Sequence, residues 1–240
     1  MRRPGFLALA MGAVLVGLSA CGSGGPSSST PSLTPSSSAS PSPSSLSSPT
    51  PSPFPSFVWE SRSATAADAQ TWREGCPVGL GQLIVVDVAF WTFDGETATG
   101  ELVVNADIED ETRVAFERLF DLGFPIRSIR NIDEFTGSDD ASMAADNTSG
   151  FNCRYAVADG DPQWSNHAYG RAIDVNPVEN PYVFHGEALP PEGAEFVDRT
   201  ERPGMLAEGG AALQAFLDAG FFWGGFWKNT PDYQHLEIEE

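Results

Sequence analysis

His167 and Asp174 stand with six residues between them, and Asp232-Tyr233-Gln234-His235 follows near the C-terminus. Together these positions supply two imidazoles, one carboxylate ligand and one spare carboxylate. That is the donor set of a catalytic zinc site, which uses three protein ligands and keeps a fourth position open for water. A single His and Asp at this spacing are ordinarily surface residues. What makes the pattern informative is its pairing with Asp-x-x-His in a chain that has only three histidines. The third, His185, lies in a loop flanked by glycine and proline and reads as an exposed or hydrogen-bonded side chain rather than a ligand. The chemistry these residues suit is metal-assisted hydrolysis.

The elements around them explain how they could meet. Ala172 to Asn176 alternates, so in a strand Asp174 projects to the face opposite Ile173 and Val175. Gln234 to Ile238 reads as a last strand in which His235 and Glu237 share a face while Leu236 and Ile238 point to the core. Two strands of one sheet would then present Asp174 and His235 side by side. His167 would enter from the preceding loop, where Gly170 allows close backbone approach. Asp232, on the turn before the last strand, is placed to take a proton from a metal-bound water and return it to a leaving amine.

Further upstream, Leu83 to Phe93 is rich in Val, Ile and Phe and ends at Asp94-Gly95, a hairpin signal, with Glu101 to Asn105 as the returning strand. Asp110 to Leu122 carries a helical apolar stripe stopped by Gly123 and Pro125. Ile126 to Ile129 reads as a short strand, Asp133 to Gly150 as a polar loop, and Met205 to Ala219 as a second helix closed by Gly220. Strands and helices do not alternate regularly, so the expected class is α+β with a mainly antiparallel sheet.

The N-terminal stretch speaks to location. Arg2 and Arg3 precede an apolar run from Phe6 to Leu18 that is too short for a comfortable membrane span and reads as a secretory signal. Leu18-Ser19-Ala20-Cys21 resembles the lipobox of bacterial lipoproteins, which implies a signal over residues 1–20 and lipidation of Cys21. The alternative is an ordinary cleaved signal. Residues 21–56 are almost entirely Ser, Pro, Thr and Gly without charge and read as a disordered tether, leaving 57–240 as one domain. The expected place is the outer face of the cytoplasmic membrane, held by the lipid anchor alone.

Loss of the signal removes two arginines and no acid, taking the net charge from −20 to −22. Such a balance argues against a nucleic-acid partner, which needs clustered Lys and Arg. Beyond Cys21 there are two cysteines, Cys76 and Cys153. An even count outside the cell suggests one disulfide. Two buried thiols, or Cys153 as a metal ligand, are the alternatives. Trp223 and Trp227 could stack on sugar rings, although core packing or groove lining is the commoner fate of Trp.

The segment from Ser165 to Pro177, continued by Asn180-Pro181-Tyr182, resembles the first metal motif of the bacterial D-alanyl-D-alanine carboxypeptidase and L-alanoyl-D-glutamate endopeptidase family. Thr148 to Arg154 resembles the segment before that motif in the endopeptidase branch. Trp223-Gly224-Gly225 with Asp232 to Glu237 resembles the second metal motif. The resemblance spans roughly Leu80 to the C-terminus. It implies the fold of the Hedgehog/DD-peptidase group, an antiparallel sheet with helices on one side and a zinc groove. It also implies His167, Asp174 and His235 as ligands of one zinc ion, and Asp232 as general base. Arg154 would stabilise an oxyanion or hold a substrate carboxylate, Glu237 would orient His235, and Ser165 would touch substrate. The implied substrates are peptidoglycan stem peptides, cut by a monomeric enzyme at the terminal D-Ala or at an internal bond such as L-Ala–D-Glu. A non-catalytic wall-binding or protein-binding module that retains zinc is the rival expectation.

Overall fold

The computed structural model describes residues 55–239. The signal, Cys21 and nearly all of the tether lie outside the described residues. In chain order the elements are β1 (Trp59–Ser63), β2 (Leu83–Trp91), β3 (Thr97–Asn105), α1 (Glu109–Asp121), β4 (Ser128–Ile129), α2 (Asp139–Ala144), β5 (Asn147–Thr148), β6 (Ala172–Asp174), β7 (Tyr182–Phe184), β8 (Glu187–Leu189), α3 (Ala211–Asp218), β9 (Phe222–Trp223) and β10 (His235–Glu237). The class is α+β, as expected, but the antiparallel strands divide into two three-stranded sheets, β1-β2-β3 and β6-β10-β9. Antiparallel β7-β8 and parallel β4-β5 complete the pairing.

The β2–β3 hairpin is the frame. Its register runs from Leu83↔Asn105 to Trp91↔Thr97, with Gly95 at φ 77° in the turn. The returning strand therefore starts at Thr97, earlier than the apolar run beginning at Glu101 suggests. Ladder hydrogen bonds extend it through Ala98 and Thr99, residues without a strong apolar signature. Ile84, Val86, Val88 and Phe90 of β2 face a core shared with Phe116 and Leu119 of α1, Phe216 of α3, and Ile173 and Leu236 of the second sheet. Phe116 and Phe216 meet edge to face at 5.9 Å, the geometry ring quadrupoles favour. The opposite face, with Leu83, Val85 and Val103, packs Val78, Phe151 and Cys153. Helix α1 thus packs on one face of the hairpin and α3 packs on α1 and β9, and the core they fill reaches the second sheet.

Helix α1 follows its sequence signals. Glu109, Asp110 and Glu111 occupy the first turn and Arg118 the last, complementing the helix dipole. Gly123, at φ 65°, ends the helix. Two expectations are corrected. Residues 133–150 are not one loop: they hold a 3-10 turn at Ile132–Phe135, then α2 and β5. Ser138 caps α2 by accepting from the Ala141 N–H, a local signal masked by the polar composition. The second helix begins at Ala211 rather than Met205, because Gly209 and Gly210 break the apolar run and Gly209 sits at φ 76°.

Cys76 and Cys153 form a disulfide with Cα atoms 6.0 Å apart. It pins the irregular segment after β1 to the chain entering the second sheet. Neither cysteine is therefore a metal ligand.

Candidate metal centre and cleft

The second sheet brings the two motifs together. β10 pairs with β6 in the register His235↔Asp174, Leu236↔Ile173, Glu237↔Ala172. Leu236 and Ile173 are wholly buried in the core, so strand alternation turns His235 and Asp174 to the other face. His167 arrives on the 3-10 turn Asn166–Tyr169, capped by Ser165, whose hydroxyl accepts from the His167 N–H at 3.3 Å. Gly170 closes that turn at φ 70°. A Cβ there would stand 2.8 Å from both Asn105 N and Leu83 Cδ2, so the close approach expected of this glycine is real.

His167, Asp174 and His235 are all buried, and their ligand atoms lie within 4.8 Å of one another. Backbone and carboxylate partners fix the ring orientations. His167 Nδ1–H donates to the Gly150 carbonyl at 2.7 Å, which leaves its Nε2 lone pair facing inward. His235 Nε2–H donates to Glu237 Oε2 at 2.8 Å, which leaves Nδ1 facing inward. The two inward nitrogens are 3.2 Å apart, and Asp174 offers one oxygen to each, at 3.1 and 3.2 Å. Two imidazole nitrogens and a carboxylate converging at that distance are placed to share one cation. Two nitrogens and a carboxylate oxygen suit zinc, with the outer hydrogen bonds orienting its ligands.

The local electrostatics agree. Burial works against a charge on His235, yet hydrogen bonds from Asp174 and Glu237 push it up to about 10. Asp174 is held well below the carboxylate range: burial opposes this, but His167 and His235 outweigh it. Glu237 is also lowered, by His235 and by Asn166, despite its burial. The carboxylates that raise the proton affinity of His235 would likewise favour a bound cation.

Asp232 lies on the approach to β10. Its N–H donates to the Gly224 carbonyl at 3.1 Å, and a Cβ on Gly224 would collide with Asp232 O at 2.7 Å. Asp232 Oδ1 is buried and meets no hydrogen-bond partner. Burial, helped by Asp174 and opposed by His235 and Arg154, pushes Asp232 up to about 7. Arg154 Nη2 pairs with Asp139 Oδ2 at 2.9 Å.

All of these side chains, with Ser165, line one cleft of about 290 Å³. Trp227 forms part of its wall, its ring 5.5 Å from that of His235. Trp223 instead is buried in the core, and its Nε1–H donates to Tyr233 O. His185 is exposed beside Asp159. Five contributors were not singled out from sequence: the Gly150 carbonyl, Asn166, Asp139, Met143 and Gln234. Asn166, which donates to Glu237 Oε2, had a signal in its place beside His167. Asp139 had none, since nothing local marks it as the partner of Arg154.

With the geometry in hand, residues 159–238 match the family model of the D-alanyl-D-alanine carboxypeptidases. That stretch is similar to this zinc-peptidase family, and it carries the buried His167, Asp174 and His235 that could hold a metal ion. Neither curated proteins nor solved structures give a significant match to the chain. The carboxypeptidase-family segment contains all three metal-facing residues together with Asp232 and Glu237. Arg154, Asp139 and Gly150 fall before it.

Proposed function

We propose that the protein is a zinc-dependent peptidase of peptidoglycan stem peptides, anchored outside the cytoplasmic membrane through Cys21 and the 21–56 tether. The observation that carries the reading is the convergence of His167 Nε2, His235 Nδ1 and the Asp174 carboxylate beside a buried carboxyl group at Asp232. Bound zinc would polarise the scissile carbonyl and acidify its water.

The chain's own residues supply the remainder. Asp232, pushed up to about 7, accepts the water's proton on its carboxylate and delivers it to the leaving amine. A general base works best when its pKa lies near the operating pH. Arg154 supplies the positive charge, either to the developing oxyanion or to a substrate carboxylate, and Asp139 holds it in place. A guanidinium suits both roles, because it stays charged and offers paired donors. Glu237 keeps His235 in the tautomer that presents Nδ1, while Ser165 fixes the turn bearing His167 and borders the substrate. The buried Asp232 favours an enzyme over a zinc-retaining binding module, which has no use for a carboxyl group held near neutrality.

The test is digestion of purified muropeptides by the full exported chain, with products identified by mass. Loss of terminal D-Ala marks carboxypeptidase action, and a cut after L-Ala marks endopeptidase action. If no zinc loading produces either product, the binding-module reading replaces this one.

A further inference from the structure

Exposed hydrophobic side chains gather around the metal cleft. Eight large ones are exposed among the described residues, and five of them belong to two segments at the cleft: Tyr155 and Val157, and Phe222, Phe226 and Trp227. The second group is a continuous aromatic ridge. Phe222 lies 6.1 Å from Phe226 and 6.3 Å from Trp227 between ring centroids, and Trp227 itself forms cleft wall against His235. Phe226 also meets buried Trp223 edge-on at 5.1 Å, so the ridge rests on the core. Strand alternation explains Phe222: on β9 it points opposite to Trp223.

The ridge is also free of acids within an acidic domain, with Lys228 directly after it. No Asp or Glu occurs between Asp218 and Asp232, although the chain holds 33 acids. Solvent-exposed apolar surface joined to a binding cleft marks a contact surface for the same ligand or its extension. Flat, uncharged rings with open faces suit a partner with flat C–H faces and polar edges, as aromatic side chains do wherever one side is apolar and the other wet.

We propose that the Phe222–Phe226–Trp227 ridge binds the amino-sugar glycan to which the stem peptide is attached, so that the enzyme prefers glycan-linked peptide to free peptide. The inference rests on the stem-peptide reading above. The glycan is the occupant because it is covalently continuous with a peptide lying in the cleft, and the ridge is continuous with that cleft. An anionic lipid surface is disfavoured by the net charge of −20.

The experiment uses the full chain and three ligands: a β-1,4-linked N-acetylglucosamine tetramer, a free stem peptide, and the same peptide attached to its disaccharide. Tetramer binding is read by tryptophan fluorescence, and cleavage by kcat/KM. Phe226, which is not among the cleft-lining residues, is replaced by Ala and, to keep apolar volume without a flat face, by Leu. Both variants should lower kcat/KM on the disaccharide-linked peptide and weaken tetramer binding about fivefold to tenfold, the size of one lost aromatic contact. Cleavage of free peptide should stay at the wild-type level.

Equal losses on both peptides, or no loss on either, overturn the proposal. So does a wild-type chain that cleaves peptide but does not bind the tetramer. Binding to anionic phospholipid vesicles that Phe226→Ala abolishes, without tetramer binding, replaces the glycan by a membrane. Tetramer binding that Phe226→Ala weakens, in a chain that cleaves neither peptide, supports the ridge and removes the peptidase reading alone.

Discussion

At the scale of single residues, the centre works by denying every donor an alternative. His167 spends Nδ1–H on a backbone carbonyl and His235 spends Nε2–H on Glu237, so only lone pairs remain to face Asp174. His235→Ala removes one of the three proposed ligands, and elemental analysis of protein prepared without added metal should find no stoichiometric zinc. Asp232→Asn keeps the shape but cannot accept a proton. It should retain zinc and fold while losing roughly 10²–10⁴-fold in rate. Glu237→Gln is the necessary parallel, since Glu237 also touches His235; a dead Glu237→Gln beside an active Asp232→Asn would exchange their roles. As the proposed general base Asp232 would act ionised, so kcat/KM in the wild type should rise with pH as this group deprotonates. The midpoint should lie at or below about 7, since bound zinc adds positive charge nearby. That limb should vanish from the residual activity of Asp232→Asn.

At the scale of elements, legibility followed the range of the signal. β6, β10 and the hairpin announce themselves through period-two alternation and Asp-Gly, and the facing of Asp174 and His235 follows from that alternation with no other information. The split into two sheets was not legible, because it depends on which strands pair across the fold rather than on any one of them. α2 was hidden for a different reason: its six residues carry too few apolar side chains to show a helical period. The Arg154–Asp139 pair spans that element and the strandless entry to the cleft, and no local pattern joins them.

Two predictions belong to this scale. Gly170→Ala forces a side chain into a left-handed position against β3, and should cost about 1–3 kcal/mol in chemical denaturation along with weaker zinc retention. Elsewhere, two buried acids, Asp146 just before β5 and Glu179 in the loop after β6, share the Arg127 guanidinium at 3.4 and 3.8 Å. Burial and the Asp146 carboxylate push Glu179 up to about 8, above its unfolded value. The folded state therefore holds a proton that the unfolded state releases, and stability falls as pH rises from about 4.5 towards 8. Glu179→Gln, which cannot ionise, should melt a few degrees higher than wild type near pH 8 and at the same temperature near pH 4. Equal melting at both pH values would show that the pair is not strained by ionisation.

At the scale of the whole molecule, the disulfide closes a loop of 77 residues in sequence separation. In the chain-entropy account such a closure stabilises the fold by about 4 kcal/mol. Reduction should lower the denaturation midpoint accordingly. It should also reduce activity out of proportion to zinc loss, because Cys153 adjoins Arg154 and anchors the chain that carries it. Activity that falls only in step with zinc would place the disulfide's effect on the metal instead.

The two glycines that press the centre against the hairpin have a wider implication. A Cβ on Gly150 would stand 2.2 Å from Val103 O, and one on Gly170 would meet Asn105 N; both contacts are with β3, outside the 159–238 segment that matches the family model. Gly150 itself, which orients His167, lies outside it too. The stretch by which the domain is recognised is therefore shorter than the stretch that can fold, and a graft of residues 159–238 into another protein would carry the ligands without the wall that aims them. Thr148, Ser149 and Phe151 beside it are themselves buried, and a single inserted or deleted residue there would shift the Gly150 carbonyl away from the imidazole. A design that borrows this centre must therefore keep the length of the 148–151 stretch together with its glycine.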